Sequence, residues 1–238
     1  MDFGGKLIID NVTTEASLNL INKFGFEITG QYKDEIGVRL TKENFTTNNI
    51  GGERTVGILM YNNMSLLDYS MTKEMLRLAN NYNKKKIFEI NNILFEDKIN
   101  VDEELLLNGH KLVNKCDIIV IPGGNYIQEA INNKEIIDYL NNNLKDCDFI
   151  CTVGNGIKFL VKCNILQGIF VPKKVVDKED REYIPEIRQV DKSFIDNGKV
   201  MISSNSIGQM ELILRLIDKV AGKEIAKKVG IKFGVSYE

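Results

Sequence analysis

Twice between Cys116 and Gly168 the chain passes from an apolar run into a glycine-bearing turn and then into a helix. CDIIVIPGG (116–124) closes on Pro122, Gly123 and Gly124, and a helical segment from Gln128 to Leu144 follows, with Ile131, Ile136, Ile137, Leu140 and Leu144 directed inward. DFICTV (148–153) repeats the run, and GNGIKFLVKCNILQG turns at once into a helix. A strand that is apolar without alternation needs cover on both faces. The pattern starts earlier, with TVGILM (55–60) and a helix from about Tyr69 to Asn80, and KKIFEI and NILF read as two further strands. It ends with VMISS (200–204) and the amphipathic MELILRLIDKVAG, closed by Gly222. Such alternation predicts an α/β fold: a mainly parallel sheet with helices on both faces. Ligands in these sheets bind at the carboxyl ends of strands near the switch point, which here means after Met60, Ile121 and Val153.

A smaller piece precedes this body. KENFTTNNIGGER (42–54) is polar, ends near a glycine pair and marks a change of pattern. Before it, KLIID reads as a strand and Thr13–Phe24 as a helix whose apolar face is Leu18, Leu20, Ile21 and Phe24. FEIT and IGVRLT read as two short strands around the turn QYKDE. The expected organisation is a β-α-β-β extension over residues 1–50 and an α/β domain over 54–238. A piece that small buries too little to stand alone, so it is expected to pack on the main body or on a second subunit.

Composition narrows the function classes. The formal charge is −2, with no basic run or basic amphipathic helix, so neither nucleic acid nor a membrane surface is an expected partner. The N-terminus lacks the pattern of a signal peptide, and no apolar stretch approaches a membrane span; a cytoplasmic location is the expectation. Cys116, Cys147, Cys151 and Cys163 lack C-x-x-C spacing, and His110 is the single histidine, so neither a metal site nor a cofactor is expected. His110 itself reads as a surface loop residue.

The turn TVGNG has the form of a nucleophile elbow, where small neighbours let the backbone turn sharply into a helix and present one side chain. Its tip is Gly154, which accepts strained angles and has nothing to attack with. From Thr55 to about Val229 the chain resembles the ThiJ/PfpI superfamily, whose domain is similar to class I glutamine amidotransferases. Four pieces carry the resemblance in order: TVGILMYNNMSLLDYS, CDIIVIPGG, ICTVGNGIKFLVKCNILQG and DNGKVMISSNSIGQMELIL. It implies a flavodoxin-like three-layer α/β/α sandwich and, by family habit, a homodimer. It also sets the register of the elbow. Gly154 stands fourteen residues before Gly168, the spacing the resemblance implies for the family's cysteine, and Gly156 falls on the family's next glycine. Aligning Cys151 instead adds three residues inside a short helix. Cys151 then reads as an inert strand residue.

By the same resemblance Asp68 matches the acidic residue after the first strand; as a bare residue it reads as a helix N-cap. Asn155 takes the position after the nucleophile and either donates to a ligand or caps the helix. Gly123 and Gly124 either turn backbone N–H groups to the pocket or form a simple turn. Ser203, Ser204 and Ser206 stand at a strand end near the elbow, of which Ser204 is taken as a binding residue. The binding set is therefore Asp68, Gly123, Gly124, Gly154, Asn155, Gly156 and Ser204. Two functions follow. One is a non-catalytic protein that binds a small molecule, for which the glycine turn and helix start favour an anion, or serves as a regulatory or scaffold component. The other resembles isonitrile hydratases or amidase-like hydrolases, with Asp68 activating water or Cys151 as nucleophile. A third reading, a transcription regulator's sensing domain, fails on one count: no helix-turn-helix segment is expected after Val229, although a separate partner chain could supply it.

Overall fold

The computed structural model describes residues 7–10, 27–32, 35–39, 52–83, 85–101, 105–109, 115–166, 168–173, 175–176 and 187–237. The chain forms two compact units, Met1–Gly52 with Lys219–Gly222, and Glu53–Asp218 with Lys223–Glu238.

In the first unit β1 (Leu7–Asp10), β2 (Glu27–Tyr32) and β3 (Glu35–Arg39) form an antiparallel sheet in the order β1-β3-β2. β2 and β3 are the two strands expected on either side of QYKDE, but they reach into it, since Gln31, Tyr32 and Glu35 are strand residues. The helix expected over Thr13–Phe24 and the loop residue His110 lie outside the described residues.

The second unit is built on a six-stranded sheet. Its strands are β4 (Arg54–Leu59), β5 (Phe88–Ile93), β8 (Ile118–Ile121), β9 (Phe149–Val153), β12 (Phe194–Asn197) and β13 (Val200–Ser203), in the order β12-β13-β9-β8-β4-β5. All neighbours run parallel except the β12–β13 hairpin. That hairpin turns at Gly198, whose φ of 86° needs glycine, while the Asp196 carboxylate accepts the Gly198 N–H at 2.8 Å. Two small sheets flank the frame: β6 (Lys98–Asn100) with β7 (Leu106–Asn108), and β10 (Phe170–Pro172) with β11 (Arg188–Val190).

Successive strand residues point to opposite faces, yet Ile118–Ile121, Ile150–Val153 and Val200–Ser203 are buried without interruption. Both faces of the sheet are therefore covered. The fold is the expected flavodoxin-like α/β arrangement, its mainly parallel sheet packed with helices. Helix α1 (Leu66–Tyr82) buries Tyr69, Thr72, Met75, Leu76 and Ala79 along one stripe. In its last turn the Asn80 side chain donates to the Phe88 carbonyl at 2.8 Å and accepts the Ile87 and Phe88 N–H groups, tying the end of the helix to the start of β5. KKIFEI and NILF thus merge into one strand. The segment expected as one helix from Gln128 divides into α2 (Ile127–Ile131) and α3 (Lys134–Asn143). Asn133 causes the break: its side chain accepts the N–H of Glu135 and caps a fresh helix. After β9 comes α4 (Ile157–Lys162), and after β13 come α5 (Ser206–Ala221) and α6 (Lys223–Lys232), parted at Gly222 with φ 89°.

Candidate functional site

The strand order reverses once. From β4 the chain goes outward to β5, then returns to place β8 on the other side of β4. The loops after β4 and β8 therefore leave the sheet edge in opposite senses and open a crevice between them. A cavity of about 410 Å³ occupies it, walled by loop residues after β4, β8, β9 and β13.

In the β4 loop, Ser65 is the N-cap of α1, its hydroxyl accepting the Asp68 N–H at 3.2 Å. Asp68 is thus the third residue of the helix and not the cap expected of it. In an ordinary capping box that carboxylate would reach back to the Ser65 N–H. Here the Gly123 peptide stands between them: Ser65 N–H donates to the Gly123 carbonyl at 2.6 Å, and Gly123 N–H donates to Asp68 Oδ2 at 3.0 Å. The side chain left over by the cap is thereby held at the cavity, 6% exposed. Burial raises the Asp68 pKa, while the bonds from Gly123 and Ser65 pull it down. Burial also pushes the neighbouring Tyr61 hydroxyl up, helped by the charge of Asp68. Tyr61 stays neutral and donates to the Pro122 carbonyl at 2.8 Å.

The elbow after β9 needs glycine twice, for different reasons. Gly154 has φ +54°, and a Cβ built on it meets nothing within 4 Å. Gly156 has an ordinary φ of −55°, but a Cβ there would sit 2.7 Å from the carbonyl oxygens of both Ile121 and Pro122. The first glycine permits a left-handed turn into open space; the second lets the elbow pack against the end of β8. Between them, Asn155 clasps the other loop, accepting the Gly124 N–H at 2.9 Å and donating to the Gly124 carbonyl at 2.7 Å.

Six of the seven expected residues, Asp68, Gly123, Gly124, Gly154, Asn155 and Ser204, line one cavity, and Gly156 lies buried behind it. The N–H groups of Gly123 and Gly124, expected to face a ligand, are instead accepted by Asp68 and Asn155. Cys151 is fully buried inside β9, in register with Val120 and Met201. Burial drives the other thiols away from reactivity, to about 11 for both Cys147 and Cys163. Among the described residues no group of three His, Cys, Asp or Glu side chains is placed to hold a metal, and no helix is long and apolar enough to cross a membrane.

Sequence reasoning missed Asn63, Met64, Ser65, Asn125 and Asn205, which also line the cavity, while Ser206 was placed near the elbow but not taken as a binding residue. The asparagines disappear into a chain rich in asparagine. Gln209 carried no signal either; fully buried, it donates to the Asp68 carbonyl at 2.6 Å and the Thr72 hydroxyl at 3.0 Å, tying α5 to the start of α1. Two non-glycine residues beside the cavity hold left-handed backbone, Asn63 at φ 63° and Tyr126 at φ 53°. Strain of this kind collects at ligand sites.

No family model and no curated protein sequence matches the chain, but solved structures do. A ThiJ/PfpI family protein from Pseudomonas syringae superposes with a TM-score of 0.67 at 12% identity, over 79% of this chain and 77% of that one. An AraC family transcriptional regulator from Pseudomonas putida gives 0.64 at 20% identity, over 76% and 99%. DJ-1beta from Drosophila melanogaster gives 0.64 at 16% identity, over 78% and 100%. The chain has the fold of the DJ-1/ThiJ/PfpI proteins.

Proposed function

We propose that the protein is a non-catalytic binder on this fold, which holds a small molecule at the crevice and acts as a regulatory or scaffold component. The observation that carries this reading is Gly154: the tip of the elbow points into open space with no reactive atom on it. Cys151, three residues earlier, is enclosed in the sheet. Ser65, Ser204 and Ser206 line the cavity, but a serine nucleophile needs an adjacent base, and the one titratable side chain among the described lining residues, Asp68, is pushed by burial toward its neutral form. The extension over residues 1–50 is assigned to recognition or to homodimer formation, which light scattering on the full chain and on residues 54–238 would compare.

Native labelling with iodoacetamide between about pH 5 and pH 9, mapped by peptide mass spectrometry, tests the central reading. The expected result is slow labelling of all four cysteines until the protein unfolds. Rapid acid-side labelling of Cys151 would refute it.

A second reading has one observation behind it. Asp68 is a buried carboxyl of raised pKa at a cavity, the state in which such a group trades protons with a substrate. In that reading, similar to isonitrile hydratases, Asp68 activates water, and Asp68→Asn would abolish turnover of an isonitrile panel that the wild type converts.

A further inference from the structure

Three side chains at the cavity have no hydrogen-bonding partner among the described residues: Asn63, Asn125 and Ser206. Asn63 and Asn125 stand in the loops after β4 and β8, and Ser206 is the first residue of α5. Their neighbours differ. The Asn155 amide is spent on both polar atoms of Gly124. Asn205 accepts the Gly208 N–H at 2.9 Å, capping α5, and donates to the Ser204 hydroxyl at 3.3 Å. Two amides and one hydroxyl therefore remain open, and each group both donates and accepts.

The charges around them select against ions. No lysine, arginine or histidine is among the described lining residues, so an anion would have only helix N-termini, and no cationic side chain, to offset its dehydration. A cation would find only Asp68, whose Oδ2 already accepts the Gly123 N–H and whose burial favours the protonated form. Large exposed apolar side chains are the chain neighbours of three lining residues, though not lining residues themselves: Leu67 next to Asp68, Tyr126 next to Asn125 and Ile207 next to Ser206, 55%, 78% and 69% exposed. At about 410 Å³ the cavity lies near the small end of the range for ligand pockets.

We propose that the cavity takes an uncharged small molecule with an apolar body and a head group that both donates and accepts hydrogen bonds, of the primary-carboxamide type. Asn63, Asn125 and Ser206 bind the head, and Leu67, Tyr126 and Ile207 give the body apolar surface to lie against. The inference rests on the reading of this cavity as a binding site.

The test is saturation-transfer NMR on the full chain with hexanamide, hexanoate, hexylammonium and acetamide. Hexanamide is expected to bind with a dissociation constant on the order of 1 mM. The two ions and acetamide should bind at least about tenfold more weakly. The double variant Asn63→Gly, Asn125→Ala should lose about tenfold in hexanamide affinity; glycine at 63 keeps the left-handed backbone. Ser206→Ala, which leaves both asparagine loops untouched, should lose about threefold and guards against misfolding of the double variant. Equal binding of hexanoate, no binding of hexanamide, or unchanged affinity in folded variants overturns the proposal. Ammonia release from hexanamide in the same samples, lost in those variants, would support the ligand class while refuting the non-catalytic reading. Preferred binding of hexanoate without turnover would do the reverse.

Discussion

Replacing Gly154 and Gly156 with alanine, one at a time, separates two causes of glycine in a single turn. At Gly154 the cost is conformational. Left-handed backbone costs an L-residue roughly 1–2 kcal/mol, and alanine returns about 0.4–1 kcal/mol by restricting the unfolded chain. With open space around the new Cβ, the net is about 1 kcal/mol. For a domain of this size each kcal/mol moves Tm by roughly 2–4 °C, so Gly154→Ala should melt about 3 °C lower. At Gly156 the backbone is relaxed and the cost is steric. The added methyl would press on two carbonyl oxygens at 2.7 Å, and they belong to the end of β8, not to a yielding side chain. Overpacking of this kind costs about 1–3 kcal/mol and sometimes more. Rigid backbone on the receiving side puts Gly156→Ala at about 3 kcal/mol, or about 9 °C. Thermal and urea unfolding followed by circular dichroism on the full chain measure both. Equal losses, or a larger loss at Gly154, would refute the assignment of strain to one glycine and close packing to the other.

Other perturbations probe the same region. Gly154→Cys should fold about as well as Gly154→Ala, and its thiol should react with iodoacetamide near neutral pH at least about tenfold faster than the buried native thiols; a slow thiol would mean the tip is not open. Because burial raises the Asp68 pKa, the folded state holds that proton more tightly than the unfolded chain, a stabilisation present below the ordinary carboxylate value and lost as pH rises through the folded value. Asp68→Asn, neutral throughout, should therefore gain stability relative to wild type as pH rises above the ordinary carboxylate value, read in urea midpoints, and a constant gap would count against the raised pKa. Gln209→Leu removes the bonds that Gln209 donates to the Asp68 carbonyl and the Thr72 hydroxyl, while the Asp68 carbonyl keeps its helical partner, and should cost about 1 kcal/mol in urea unfolding. Tyr61→Phe removes the buried bond to Pro122 and should cost about 1 kcal/mol by the same measurement; no change would show that the hydroxyl contributes nothing to holding β8.

The core of the fold was legible because buried parallel strands advertise themselves. TVGILM, CDIIVIPGG, DFICTV and VMISS each contain a strand of the sheet, displaced by a residue or two at the ends. What stayed hidden was decided by polar side chains. Asn80 welds α1 to β5, and Asn133 stops one helix and starts another; an apolar periodicity passes over both. The edge strand β12 has no continuous apolar run and escaped notice, as did α6, whose buried stripe is thin. At the cavity, the elbow glycines stood out in the turn TVGNG, and Asp68, Gly123 and Gly124 were carried by the family resemblance. Asn63 and Asn125 could not stand out, since their placement depends on how two loops far apart in sequence meet.

That meeting has a consequence for how the protein can change. The loops after β4 and β8 are stitched together by Ser65 N–H to the Gly123 carbonyl at 2.6 Å, Asn125 N–H to the Asn63 carbonyl at 2.8 Å, and a bridge between Met64 and Gly124. A residue inserted into either loop would shift this pairing and displace Asp68 and Asn125 together. Loop length there is not free to drift. Variation that reshapes the crevice without unfastening it is confined to side-chain replacement on those two loops, and to insertions beyond β13, where Ser204, Asn205 and Ser206 are joined to no partner loop across the crevice by any described bond.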